Sequence, residues 1–210
     1  MKNLILLPIF IVSGVFFWNL SLGLDTSTPK PLTPNPKADF FEKFADSAYT
    51  LTFDRVKYDP AYYVIPYPNG DVPADRGVCT DVVIRAYRKM GIDLQQEVHE
   101  DMKANFDVYP KNWGLTKPDR NIDHRRVPNL MQFFSRKGKS LPITDQASDY
   151  LPGHIVCWNL GGGTTHIGVV SGFRNKDKTR YQIVHNIGAG QVLEDCLFSY
   201  KIIGHYRYGK

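Results

Sequence analysis

The sequence predicts an α+β domain, with helices in its first two-thirds and an antiparallel β-sheet in its last third. Between residues 39 and 138, apolar side chains recur at spacings of three and four. From Leu151 onward, short β-branched runs alternate with turns rich in Gly and Asn. The composition is that of a globular protein: 42% of the 210 residues are hydrophobic and 22% are charged. Collagen, coiled coil and wholesale disorder are thereby excluded.

The first residues stand apart. Lys2 precedes an apolar run from Leu4 to Trp18, the pattern of a secretory signal peptide. Residues 1–23 are read as that signal, cleaved after Ser21-Leu22-Gly23, with an uncleaved anchor as the alternative. No Cys follows the run, so a lipoprotein anchor is not expected. Pro29, Pro31, Pro34 and Pro36 make residues 24–38 an extended linker. The folded domain is expected over 39–210.

Within that domain, Phe40, Phe41, Phe44, Ala45 and Ala48 mark a first helix over 39–50. Residues 58–73 carry Asn69-Gly70 and several prolines, and read as loop with one short strand. Residues 77–91 give the clearest helix. Val83, Tyr87 and Met90 share a face, Asp81 lies in the first turn, Arg88 and Lys89 in the last, and Gly91 stops it. Further helices are expected over 97–106 and from Asp123 to Gly138. Strands follow at 154–159, 166–172 and 181–186, and 201–208 closes the sheet.

Net charge is +5 with a sequence pI of about 9.0. Removing residues 1–23 takes away Lys2 and no acid, leaving +4 (5 − 1). A mild basic excess suits anionic surfaces such as cell wall. The basic residues are not clustered with aromatics, so nucleic acid is not an expected partner. Apart from the first residues, no stretch is long and apolar enough to span a bilayer. Membrane contact is therefore expected only through the N-terminal segment.

The chemistry centres on Cys79. A helix N-terminus favours a thiolate, and its free N–H groups can face an oxyanion. Taken alone, a Cys in this place is more often a small buried residue. A nucleophilic Cys also needs a base, and the base needs an orienting partner. His166 begins one expected strand and His185 ends the next, so a hairpin brings the two together. Cys79, Cys157 and Cys196 are an odd number for an oxidising compartment. With Cys79 free as the nucleophile, Cys157 and Cys196 either pair or sit as two buried hydrophobes.

Four runs now resemble a known pattern: Gly77-Val-Cys79-Thr-Asp at a helix start, Pro152-Gly153-His154-Ile-Val-Cys-Trp158, Thr165-His166-Ile-Gly168-Val-Val, and Ile-Val-His185-Asn. In order and spacing they are similar to NlpC-type peptidases. That resemblance implies a papain-like fold and cleavage of cell-wall peptide amide bonds. The chain is still more similar to a bacterial family known only as domain of unknown function 1287. The runs that carry this are Gly77–Asp81, Val98–Met102, Asn121–Leu130, His166–Val170, His185–Gly188 and Gly204–Arg207.

Carried over residue by residue, the resemblance makes Cys79 the nucleophile, His166 the base and His185 its orienter. Tyr67 is implied as an oxyanion helper; Asn186, next to His185, is a further oxyanion or substrate candidate that contributes if the strand ends early. Thr80 and Asp81 replace the small Ser-Gly pair that follows the family's Cys, which implies a narrower, more acidic cleft. His154 replaces the usual Asp of the Pro-Gly-Asp turn.

The expected protein is an exported, periplasmic or extracellular monomer that hydrolyses peptidoglycan or another envelope peptide without metal or cofactor. A non-catalytic envelope-binding module and an acyltransferase are the alternatives. A metal hydrolase using His166, His185 and His205 is the rival chemistry, although His-Glu-x-x-His and paired Cys-x-x-Cys motifs are lacking. His99, His124 and His205 otherwise read as structural histidines. Asp123, Arg125 and Arg126 read as a capped helix start or a substrate-facing cluster. Gly161–Gly163 leads into a strand without a following Lys, so it is no phosphate loop.

Overall fold

The computed structural model describes Leu32 and residues 35–209. The expected signal segment and most of the expected linker lie outside these residues. The described end of that linker is not all spacer. Ala38 is buried and Leu32 packs against the core.

Among the described residues, four α-helices of equal length precede the six-stranded sheet. The first, α1 (Phe40–Thr50), opens on a reciprocal cap: Glu42 N–H donates to Asp39 Oδ1 at 2.9 Å, and Asp39 N–H to Glu42 Oε2 at 3.0 Å. Its inward face is Phe44, Ala45, Ala48 and Tyr49. The second, α2 (Cys79–Lys89), is the central element, and every residue from Cys79 to Tyr87 is buried. α1 and β5 pack on it, and Phe44 stacks on Tyr87 with ring centroids 4.0 Å apart. Gly91, at φ 76°, turns the chain out of α2 in the left-handed region that a Cβ disfavours.

Helices α3 (Leu94–Ala104) and α4 (Val127–Lys137) complete the helical layer. Asp93 caps α3 by accepting from Gln95 N–H at 3.0 Å, so this helix starts three residues before its expected position at Glu97. Pro128 lies in the first turn of α4, where a missing N–H costs nothing. Asp123–Arg125 form a separate 3₁₀ turn ahead of α4.

The sheet runs in the order β3-β8-β4-β5-β6-β7, and all its pairs are antiparallel. β4 (Ile155–Asn159), β5 (Thr165–Arg174), β6 (Tyr181–His185) and β7 (Val192–Glu194) form the meander. β8 (Lys201–Arg207) returns to the free side of β4, with the two-residue β3 (Lys139–Ser140) beyond it. The strands expected after Leu151 are all present within a few residues; the short strand expected within 58–73 is not. β3 and β7 are too short to show a period in the sequence.

Alternation along the strands gives two cores. Ile155, Cys157, Ile167, Val169 and Val184 face the helices, while Val156, Trp158, Val170 and Ile183 pack on the other side with Tyr150, Cys196 and Leu197. All three cysteines are free and buried. Cys157 and Cys196 belong to opposite faces of the sheet, which is why they do not pair. The loop 59–75 contains no strand. It is closed instead by a parallel pair, β1 (Lys57–Tyr58) with β2 (Arg76–Gly77), that leads directly to Cys79.

Candidate functional site

Cys79 is the first residue of α2, and the approach to it is held from several sides. Val78 N–H donates to Asp81 Oδ2 at 2.7 Å, capping the helix from within. The same carboxylate takes two bonds from Arg125, at 2.9 Å to Nε and 3.0 Å to Nη2. Both side chains are 2% exposed. The Gly77 carbonyl accepts from Asn186 Nδ2 at 3.2 Å and from Asp59 N–H at 3.1 Å, tying the end of β6 and the loop to the start of α2. A Cβ on Gly77 would stand 3.1 Å from Asp81 Cβ and 3.3 Å from Arg85 Nη1, so a side chain here would have to push these neighbours back by a few tenths of an ångström.

The Cys79 sulfur is surrounded by backbone donors. The backbone N–H groups of Ile167 on β5, of Thr80 and of Cys79 itself act to lower its pKa. These donors favour the thiolate, and burial opposes them. Burial wins: the thiol is pushed up to about 12, helped by the negative charge of Asp81. The helix start that suggests an acidic thiol in the sequence therefore carries a protonated one at neutral pH.

On the adjoining strands, three side chains form a line. His166 Nε2 lies 2.9 Å from His185 Nδ1, and His185 Nε2 lies 2.9 Å from Glu194 Oε2. The imidazole rings meet edge to face at 5.1 Å. Burial pushes His166 down to about 3, with the neighbouring His185 adding to the effect. Burial also lowers His185, although Glu194 pulls the other way. Both rings are neutral at pH 7.

Proton bookkeeping along the line has one solution for neutral rings. The Glu194 carboxylate only accepts, so His185 carries its proton on Nε2 and presents a lone pair at Nδ1. His166 Nε2–H donates to that lone pair. The free lone pair of His166 is then on Nδ1, as a general base requires. Glu194 is exposed, and nothing in its own neighbourhood of sequence marks it. Only the pairing of β6 with β7 brings it to His185.

The expected residues come together unequally. Cys79 packs with Ile167 on the helix side of β5, whereas His166, one residue earlier, lies by Trp158 on the other side. Among the described residues no hydrogen bond joins Cys79 to His166, and the His166 ring rests near Trp158 at 5.8 Å. Tyr67 is not at the cleft. Its ring packs against His99 at 5.3 Å, with Arg120 above it. Tyr58 lines the cleft with Cys79 instead, and its hydroxyl is held above the usual tyrosine range by burial first and by the negative charge of Asp81.

Thr80 and Asp81 do not line the cleft. Thr80 Oγ1 donates to the Arg125 carbonyl at 3.2 Å, and the Asp81 charge is matched by Arg125. Asn186 serves as the tether to Gly77 rather than as a partner of His166. The cleft over Cys79 has a volume of about 410 Å³. Tyr58, Tyr62 and Thr165 wall it, together with the first turn of α4 and the Trp113–Arg126 pair, whose guanidinium sits 4.1 Å from the indole centroid.

Of the histidines in the rival metal chemistry, His166 and His185 meet, but His205 is engaged elsewhere. His205 bonds His154 at 2.8 Å and the Pro142 carbonyl at 2.8 Å, and stacks on Tyr150. Among the described residues, one group brings three potential ligand atoms together: His185, Glu194 and Cys196, within 4.8 Å of one another.

The family profile described as domain of unknown function DUF1287 matches residues 45–208, which include Cys79, Glu194 and both histidines of the line. The chain belongs to the DUF1287 family. A relative is the uncharacterized protein YijF of Escherichia coli strain K12, 54% identical over 164 residues, covering 78% of this chain and 80% of that protein.

Proposed function

We propose that this DUF1287 member is an exported cysteine hydrolase of the papain-like NlpC type that cleaves amide bonds of cell-wall peptides. The observation that carries the reading is the His166–His185–Glu194 line, which leaves a lone pair on His166 Nδ1 beside the strand that contacts Cys79. Such a line is the means by which a base is held in one tautomer.

The chemistry starts from a neutral pair. An acyl group enters the cleft, the Cys79 proton passes to His166 Nδ1, and the sulfur attacks the carbonyl carbon. Backbone N–H groups at the start of α2 and the Tyr58 hydroxyl face the developing oxyanion. The His166 imidazolium gives its proton to the leaving amine as the C–N bond breaks. Water, deprotonated by His166, then cleaves the thioester and restores the thiol. The bond between Cys79 and His166 is formed when substrate closes the site, since catalytic hydrogen bonds are often long in the empty enzyme.

The buried, protonated thiol favours a second reading, a peptide-binding module on the same framework. A panel of peptide esters separates the two. The hydrolase reading expects a covalent Cys79 acyl adduct, trapped by acid quench and located by mass spectrometry, that is lost in Cys79→Ala and retained in Cys157→Ala. Binding of the peptides without any adduct would favour the module.

A further inference from the structure

We propose that His185, Glu194 and Cys196 form a binding site for a zinc-class divalent ion on the sheet face away from the helices. The three residue types are the nitrogen, oxygen and sulfur donors that zinc takes. Cys196 Sγ stands 3.6 Å from His185 Nε2. Tetrahedral zinc, with bonds of about 2.3 Å to sulfur and about 2.0 Å to nitrogen, separates two such ligands by about 3.5 Å. The sulfur–nitrogen pair is therefore at coordination distance without movement.

Glu194 Oε2 is 2.9 Å from the same nitrogen and must retreat by about half an ångström to leave room for the ion. Its side chain is 54% exposed, so this motion meets little resistance, and water has access to the fourth position. His185 and Cys196 are buried and fix the other two ligands. Neighbouring Asp195 is engaged by Arg180 at 2.6 Å and 2.9 Å, and does not compete. The second ring nitrogen of His185 already has a partner in His166, as metal-bound histidines generally do.

The ion acts on the proton line. Binding displaces the Cys196 thiol proton to solvent, and the metal takes the Nε2 lone pair of His185. The proton on that nitrogen must move to Nδ1, which then donates to His166 Nε2. His166 in turn carries its proton on Nδ1 and has no lone pair for Cys79. Zinc therefore holds the thiol unactivated. This consequence rests on the proposed hydrolase reading; the site does not.

The test is a chelator-competition titration of the chelator-treated full chain with Zn²⁺. One ion per chain is expected, with affinity weakened by about tenfold or more in both Cys196→Ala and Glu194→Gln. Cys79→Ala and Cys157→Ala should bind as the unsubstituted chain does. Co²⁺ in place of Zn²⁺ should give a thiolate-to-metal charge-transfer band that Cys196→Ala removes. Absence of binding, or affinity in Cys196→Ala and Glu194→Gln equal to that of the unsubstituted chain, overturns the site; because Glu194 is exposed, its variant guards against a folding artefact. Alkylation of Cys79, followed on its own peptide, should slow when zinc is bound. Zinc bound at the site with alkylation unchanged would contradict the link to His166.

Discussion

In the proposed hydrolase, Cys79 and His166 are the two halves of the nucleophilic pair, and both rest in their neutral forms. Burial decides both, raising the thiol to about 12 and lowering the imidazole to about 3. Alkylation of Cys79 by a small electrophile is therefore expected to be slow at pH 7 and to keep rising above pH 9, measured as a rate against pH. Under turnover, His166→Ala should lose about 10²–10⁴ in rate, the usual worth of a positioned base. His185→Asn should keep partial activity, because an amide can still accept from His166 Nε2–H. Glu194→Leu leaves the His185 tautomer unset and should lower kcat with little change in KM. The residues of the proposed triad are legible in the sequence because each sits at a recognisable helix or strand end. Glu194 and Tyr58 are not, since their roles arise from a strand pairing and a loop closure that leave no local mark.

Among the elements, α2 determines where the sulfur stands. Its helical period is plain in the sequence, but its burial on all sides is not, because its neighbours come from distant segments. The Asp81–Arg125 pair joins its first turn to the 3₁₀ turn before α4. Arg125→Ala would leave a buried carboxylate unpaired and should destabilise the fold by about 3–5 kcal/mol in urea denaturation. That result would set the Asp123-to-Arg126 run apart from a merely solvated helix start. On the sheet, a Cβ at Gly168 would stand 2.6 Å from Ile183 Cγ2 and 3.1 Å from His185 Cβ. Gly168→Ala should cost about 1–3 kcal/mol and displace His185, so that activity falls further than stability alone explains.

For the molecule as a whole, buried neutral histidines govern acid stability. His124 is lowered to about 3, His154 to about 4 and His166 to about 3, all chiefly by burial. The unfolded chain binds protons at these sites below pH 6.5, and the folded chain does not. Their stabilisation is complete above that pH and is lost as pH falls toward 4 and 3. Asp123, raised to about 6 by burial, works the opposite way: its contribution is present below pH 4 and lost as pH rises through 6. Three histidines outweigh one aspartate, so the melting temperature should fall on acidification from pH 7 to 4.5, by about 2–4 °C per kcal/mol lost. The α+β order of elements was readable from hydrophobic period and turn residues alone. The return of β8 to β4 and the closure of the 59–75 loop by β1 and β2 were not, because long-range pairing has no short-range signature. The central claim, that Cys79 carries out acyl chemistry on cell-wall peptides, is tested most directly by mass spectrometry of purified peptidoglycan after incubation with the protein and with Cys79→Ala. Released peptide fragments with the unsubstituted chain and none with Cys79→Ala are the expected result; equal fragment release from both would contradict it.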